Sequence, residues 1–136
     1  MKKFLIKLGI VGAVVAVVWL VHTFSVWRVS ARMSRLDGDI QNLFDGLQQY
    51  KEHVGVYPTG SNAQIVKSLK GQNPKSVIIL VNRKNELNAK GEFVDPWGTP
   101  FRFYFSDTSV LIRSAGPNGK FDDSSAVDGD DYYRSN

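Results

Sequence analysis

The sequence predicts an α+β fold in which a long N-terminal helix packs on a small antiparallel sheet. The helix is expected to have a transmembrane half and an amphipathic half. Residues 8–27 contain no Lys, Arg, Asp or Glu. Apolar residues then recur at spacings of three and four as far as Tyr50, which is the period of one helix face. Beyond residue 100, Phe alternates with other residues as in a half-buried strand.

The predicted domains are a membrane anchor helix over residues 1–28 and a globular head over residues 29–136. About 20 apolar residues suffice to cross the hydrocarbon core as a helix, and the run Leu8 to Trp27 meets that length. A cleavable secretory signal is the alternative, but its apolar core is usually about 7–15 residues long. Val29-Ser30-Ala31 also matches a small-x-small cleavage site poorly. We therefore expect an uncleaved anchor.

The two ends of the anchor carry equal numbers of nearby basic residues, so charge alone does not predict its orientation. Three basic residues precede the apolar run and three follow it closely, so the positive-inside rule discriminates little. These residues are Lys2, Lys3 and Lys7 on one side and Arg28, Arg32 and Arg35 on the other. Because the N-terminal tail is very short, we expect it to stay inside and the head to lie outside.

Composition limits the classes of function. The net charge is +4, but three of the 17 basic residues precede the apolar run, and the other 14 stand beside all 13 acids. The head is therefore nearly neutral and lacks the basic face that nucleic-acid binding requires. There is no cysteine, which excludes disulfides and thiolate metal sites. A head of roughly 110 residues buries only a small core and would benefit from a metal or a partner.

The amphipathic half of the long helix is expected to reach about residue 53, because no proline interrupts it before Pro58. Gly55 marks the expected stop. The whole helix would then measure some 45 residues, on the order of 70 Å. The residues of its apolar face are Val29, Met33, Leu36, Ile40, Leu43, Phe44, Leu47 and Tyr50.

A short second helix follows. Ser61 or Asn62 is expected to cap it, and Gly71 to end it. Its apolar residues are Ala63, Ile65, Val66 and Leu69. The apolar run Val77–Val81 is of strand type, although a run this short is ambiguous between strand and helix.

The rest of the chain predicts the sheet. A rigid turn over residues 95–100 precedes a strand over residues 101–105. A turn at residues 106–108 leads into the second strand of a hairpin, over residues 110–114. One further extended piece is expected near Tyr132 and Tyr133.

The sequence offers little from which to build an enzyme. His22 lies in the apolar run, and His53 at the end of a helix, where a surface histidine is the ordinary interpretation. Residues 116–120 resemble a phosphate-binding loop only superficially. Such a loop has four residues between its glycines and a Ser or Thr after its Lys, whereas here two residues separate the glycines and Phe121 follows the Lys. We expect neither catalysis nor a small-molecule substrate.

The C-terminal tail is rich in acids and glycines. Calcium takes six to eight oxygen ligands from carboxylates, amides and carbonyls, and such a loop supplies them. The spacing is not that of an EF-hand. Composition alone favours a solvated acidic tail, whereas the Asn118-Gly119 and Asp128-Gly129 turns favour a closed loop. The oxygen-bearing residues are Asn118, Asp122, Asp123, Asp128, Asp130 and Asp131.

The order of these parts resembles the major pseudopilin of type II secretion, in the type IV pilin-like group. The resemblance covers roughly residues 36–133. It rests mainly on the segment 95–101 followed by the glycine-containing segment 114–119. The matching segments are Leu47-Gln48-Gln49-Tyr50, Tyr57-Pro58-Thr59, Asp95-Pro96-Trp97-Gly98-Thr99-Pro100-Phe101, Ser114-Ala115-Gly116-Pro117-Asn118-Gly119 and the acids of residues 128–131.

The resemblance implies a pilin-like fold and a role in protein transport. It implies a single-pass protein of the inner membrane, with its N-terminus inside and its head in the periplasm, that assembles with its own copies or other pseudopilins. It also implies calcium in the C-terminal loop. By position, the ligands would be the Ala115 carbonyl, Asn118, Asp128 and Asp130, with Asp131 as the alternative final acid.

The N-terminus departs from this family. Pseudopilins carry a Gly cleavage site before an aromatic residue or Met, and a Glu five residues into the mature chain. Here Gly9 and Gly12 precede Ile10 and Ala13, and the apolar run contains no Glu. Two functions therefore stay open: a structural subunit of a pseudopilus-like assembly, or a membrane-anchored periplasmic binding or accessory module that does not polymerise.

Overall fold

The computed structural model describes residues 2–80, 86–122 and 129–135. In these ranges the chain forms two helices, α1 (Lys2–Val54) and α2 (Asn62–Leu69), followed by three strands, β1 (Arg102–Phe105), β2 (Val110–Ser114) and β3 (Tyr132–Ser135). The strands form one antiparallel sheet in the order β1-β2-β3. The predicted α+β layout is confirmed at this level. The chain divides into two compact units, Met1–Ser34 and Arg35–Asn136.

The first unit is a single α-helical segment with apolar side chains on its surface. Trp19 is 66% exposed and Trp27 is 79% exposed. The helix is long and apolar enough to cross a membrane, and none of its apolar window is buried. A membrane span and a signal sequence both satisfy these criteria, so the structure confirms the apolar helix and leaves its membrane and its topology as predictions.

In the second unit, the C-terminal part of α1 supplies one side of the core. Leu36, Ile40 and Leu47 are completely buried, and Leu43 and Tyr50 nearly so. The apolar face predicted from sequence is thus buried from Leu36 onwards. Its first two members, Val29 and Met33, are exposed, because the first unit is one helix with nothing packed on it in the described residues. The helix ends where expected: the Gly55 amide donates to the Lys51 carbonyl, with the glycine at a φ of +102°.

Helix α2 begins as the sequence predicts. Ser61 is the N-cap, and its hydroxyl accepts a bond from the Gln64 amide while the Gln64 side chain accepts one from the Ser61 amide. This capping box satisfies two donors that a helix start leaves without partners. Ile65, Val66 and Leu69 then point into the core.

The strand predicted at Val77–Val81 is wrong for its described residues, 77–80. Ile78 forms only an isolated bridge with Lys70 and is 65% exposed. The amides of Ile79 and Leu80 both donate to the Leu69 carbonyl at the end of α2. The run is apolar because Ile79 and Leu80 pack against the core, and its backbone is bonded to a helix terminus. Val81 lies outside the described residues.

The sheet closes the core. On β2, Val110, Ile112 and Ser114 are buried, which gives the alternation expected of a strand with one covered face. Phe103 and Phe105 of β1 pack against the same core. The hairpin and the last strand therefore confirm the sequence prediction. The register pairs Ser114 with Tyr132, so the end of β2 lies beside the start of β3.

Candidate metal centre

The candidate site forms where β2 ends and β3 begins. Because Ser114 and Tyr132 are paired across the two strands, the residues that follow Ser114 and those that precede Tyr132 emerge at the same end of the sheet. Ala115 is fully buried there. Asp130 and Asp131, on the other chain segment, are half-buried.

Gly116 allows the two segments to approach each other closely. Its φ is +63°, a left-handed conformation that favours glycine. A Cβ atom built on Gly116 would overlap the backbone carbonyl oxygen of Asp130. Two residues further on, the Asn118 amide donates to Oδ2 of Asp130 over 2.9 Å. A side chain at position 116 would therefore separate the segments that form the site.

Three carboxylates converge at this point. Oxygen atoms of Asp122, Asp130 and Asp131 all lie within 4.8 Å of one another, and all three residues are half-buried. Oδ1 of Asp130 and Oδ1 of Asp131 are buried and accept no hydrogen bond from the residues that the structure describes. Buried polar atoms normally have partners, and carboxylate oxygens are the ligands that hard cations prefer. The carboxylates of Asp122, Asp130 and Asp131 are therefore of the right chemical type for a hard divalent cation and form the candidate metal centre.

Arg113 on β2 binds Asp131 of the same cluster. Its Nε donates to Oδ2 of Asp131 over 2.6 Å, and its Nη2 forms an ion pair with that same oxygen. Nη2 also donates to the backbone carbonyl of Asp122 over 2.6 Å. The Phe121 ring lies against this guanidinium, 5.4 Å from its carbon, and against that of Arg102 at 3.8 Å.

Of the five residues predicted to hold the metal, Asp130 and Asp131 lie in the cluster, and the backbone amide of Asn118, an exposed residue, donates to Asp130. Ala115 is buried one residue before Gly116. The Asn118 amide oxygen accepts a bond from the Lys120 amide over 2.6 Å, and its Nδ2 donates to Asp122 over 3.3 Å. Asn118 therefore shapes the turn. Asp128 lies outside the described residues, and the ligand set remains a prediction.

Two members of the site were not identified from sequence. Asp122 was only one acid among several, and Arg113 appeared only as a strand residue. The alternation of β2 places Arg113 on the face opposite Ile112, so the sequence pattern predicts which face of the sheet Arg113 occupies. Nothing local indicated that its partner is Asp131, 18 residues later in the chain.

The turn over residues 95–100 is bonded to the segment that carries the site. Asp95 is 3% exposed, and its Oδ1 accepts bonds from the amides of Trp97 and Thr99. Its Oδ2 accepts a bond from the Ser114 hydroxyl over 2.8 Å, and that hydroxyl accepts one from the Gly116 amide. The segments 95–101 and 114–119, which carry the family resemblance, are thus in direct contact through the buried Asp95 carboxylate.

A separate cavity of about 310 Å³ lies in the second unit between α1 and residues 79–80, 86 and 93–94. Its lining includes the apolar residues Leu43, Leu80 and Phe93 and the acids Asp45 and Glu86. Its described lining contains neither His nor Ser.

Comparison of this chain with protein-family models, with curated proteins and with solved structures finds no match.

Proposed function

We propose that this protein is a pseudopilin-like structural subunit of a type II secretion system or a related pilus-like assembly. In this proposal residues 1–28 anchor it in the inner membrane and the head lies in the periplasm. The observation that carries the proposal is the helix α1, which runs without a break from Lys2 to Val54. Its first part exposes apolar side chains, and its last part supplies the core of the head.

The segment between residues 28 and 36 is helical and contains no Gly or Pro, which are typical of linkers. This composition favours a structural subunit over a domain tethered through a linker. Here Leu36, Ile40 and Leu47, on the same helix as the anchor, are completely buried in the head core.

Calcium is the cation that we propose for the acidic cluster. It would be held by Asp122, Asp130 and Asp131, with the Ala115 carbonyl, Asn118 and Asp128 as the further ligands that the resemblance implies. Bound there, it would neutralise converging carboxylates and link the chain that leaves β2 to the chain that enters β3. This is a structural role, and it suits a small head that has no disulfide.

Assembly is tested by disulfide cross-linking of the full chain in its native membranes. The chain has no cysteine, so introduced pairs report without background. Val15 and Val17 are exposed, 62% and 59%, and two positions apart on a helix point in nearly opposite directions. Oxidation of the Val15→Cys/Val17→Cys variant should give a ladder of multimers if subunits pack through their helices.

The single Val15→Cys variant is the matched control, because one cysteine per chain can give a dimer at most. A ladder that appears only in the double variant supports the structural subunit. If the double variant yields only the monomer and the dimer seen with the single variant, the proposal is wrong.

The second candidate is a membrane-anchored accessory module that does not polymerise. It is favoured by the absence of Glu from the apolar run and by the missing cleavage motif after Gly9 and Gly12. The cavity beside α1 would give such a module a concave surface. The same cross-linking experiment separates the two candidates, since the module predicts no ladder.

A further inference from the structure

Arg113 is not one of the proposed calcium ligands, yet its guanidinium is bonded directly to the acidic cluster. It bonds Oδ2 of Asp131 through Nε and Nη2, and it bonds the Asp122 carbonyl through Nη2. The Asp122 amide donates to the same Oδ2 over 3.2 Å. One guanidinium therefore joins the segment that enters the loop after residue 122 to the segment that leaves it at residue 131.

The surroundings of Arg113 strengthen this contact. The side chain of Arg113 is 17% exposed and that of Asp131 is 8% exposed, so water screens the pair only weakly. The Phe121 ring lies over the guanidinium and adds a cation–π contact. Arginine stays protonated at any ordinary pH, so this positive charge is permanent.

The two oxygens of Asp131 have different roles. Oδ2 faces Arg113, whereas Oδ1 is buried and accepts no hydrogen bond from the described residues. Oδ1 of Asp130 is likewise buried and accepts no hydrogen bond from the described residues. Arg113 thus neutralises one of the three converging charges through Oδ2 of Asp131 and leaves Oδ1 of that carboxylate without a hydrogen bond from the described residues.

We propose that Arg113 is the resident counter-ion of the acidic site, which holds the loop ends together without metal and limits how tightly the site binds a divalent cation. The inference rests on the proposed function only in taking calcium as the cation. Its physical basis is charge: a fixed guanidinium beside the carboxylates repels an incoming metal ion. Without the guanidinium, a buried carboxylate loses its partner, and the metal would replace it.

The test measures thermal unfolding of the full chain in detergent, with EGTA and across a calcium titration. In Arg113→Gln the melting temperature in EGTA should fall, because Asp131 stays buried without its cation. Calcium should then raise the melting temperature by more than it does in the wild type, since binding to the native state alone is stabilising. The calcium concentration for half the rise should be lower by at least about tenfold.

Two further variants distinguish the loss of the positive charge at position 113 from nonspecific destabilisation of the head. Arg134→Gln removes a positive charge from β3, on the opposite face of the sheet, where Arg134 lies over Phe44. It should leave the calcium response at the wild-type value. Arg113→Lys keeps the charge without the forked geometry, so its half-maximal calcium concentration should lie near that of the wild type. It also keeps the test decisive if Arg113→Gln does not fold in EGTA.

The inference is overturned if Arg113→Gln and the wild type gain equally from calcium, or if calcium fails to restore the variant. It is also overturned if Arg113→Lys binds calcium as tightly as Arg113→Gln. A calcium response in Arg113→Gln with none in the wild type would support the counter-ion and refute calcium as a stabiliser of the natural head. The failure of one proposal is thus distinct from the failure of the other.

Discussion

Asp95 shows how a single buried carboxylate can organise a motif. It accepts bonds from the partly buried Trp97 and Thr99 amides and from the buried Ser114 hydroxyl. A buried donor that loses its acceptor costs about 1–3 kcal/mol. These bonds explain the aspartate at position 95 and the serine at position 114.

Asp95→Ala should lower the free energy of unfolding by at least about 3 kcal/mol, because it leaves three donors without an acceptor. Chemical denaturation of the full chain in detergent measures this. Asp107→Ala, at an exposed position in the turn between β1 and β2, is the control and should change stability little. Equal effects of the two substitutions would contradict the role assigned to Asp95.

Tyr132 gives the head a dependence on pH. Its hydroxyl donates to Oδ1 of Asp37 over 3.0 Å. That hydrogen bond, with burial and the charge of Asp37, raises the pKa of the Tyr132 phenol above its ordinary value of 10.0, while Arg134 acts in the opposite direction. A raised pKa in the folded state means that the contact stabilises the head below pH 10 and is lost as the pH rises through the folded value.

Asp37→Ala should therefore destabilise the head at neutral pH, and the difference from the wild type should shrink as the pH rises above about 10. Thermal unfolding across that range measures it. In a Tyr132→Phe background, Asp37→Ala should show no such dependence on pH. A difference that stays constant from neutral to alkaline pH would refute the contact.

At the scale of elements, Gly116 decides whether β2 and β3 can close the loop between them. Gly116→Ala should destabilise the head by about 2 kcal/mol or more, because the new Cβ meets the Asp130 carbonyl and the φ of +63° is strained for alanine. Gly91 has a φ of +76° with no atom within 4 Å of an added Cβ. Gly91→Ala therefore measures the strain alone.

Denaturation of both variants should show the larger loss for Gly116→Ala. Calcium should also raise the melting temperature of Gly116→Ala less than that of Gly91→Ala, since only the former moves Asp130. Equal losses and equal calcium responses would mean that the close approach at Gly116 is unimportant.

The elements that the sequence predicts well are those whose signals are local. The end of α1, the N-cap of α2 and the β1–β2 hairpin follow from periodicity, capping residues and alternation. The run 77–80 was mispredicted because its amides bond to Leu69, and the end of a packed helix is not visible in a five-residue window. The contacts Asp95–Ser114 and Arg113–Asp131 join residues 19 and 18 apart, so they depend on the tertiary fold.

The same distinction holds for the candidate site. Composition pointed to the acids between residues 118 and 131, and the structure gathers Asp122, Asp130 and Asp131 into one cluster. Which acids converge depends on the pairing of Ser114 with Tyr132 and on the close approach at Gly116. Neither feature can be read from the acids themselves.

At the scale of the whole molecule, the chain combines an apolar helical unit with a small head that has no disulfide. The core of the head draws on α1, α2 and the sheet, while its last strand is reached only through the acidic loop. Asp130 and Asp131 directly precede β3, so charges of the acidic cluster lie at its start. Arg113 neutralises one of them, and we propose that calcium neutralises the others.

The central claim is that a divalent cation bound by the acidic cluster stabilises the head, and thermal unfolding of the full chain in detergent tests it most directly. Calcium in place of EGTA should raise the melting temperature by about 5 °C or more. Asp130→Asn should remove most of that rise, whereas Asp107→Asn, at an exposed position away from the cluster, should retain it. Identical melting temperatures of the wild type in calcium and in EGTA would contradict the claim.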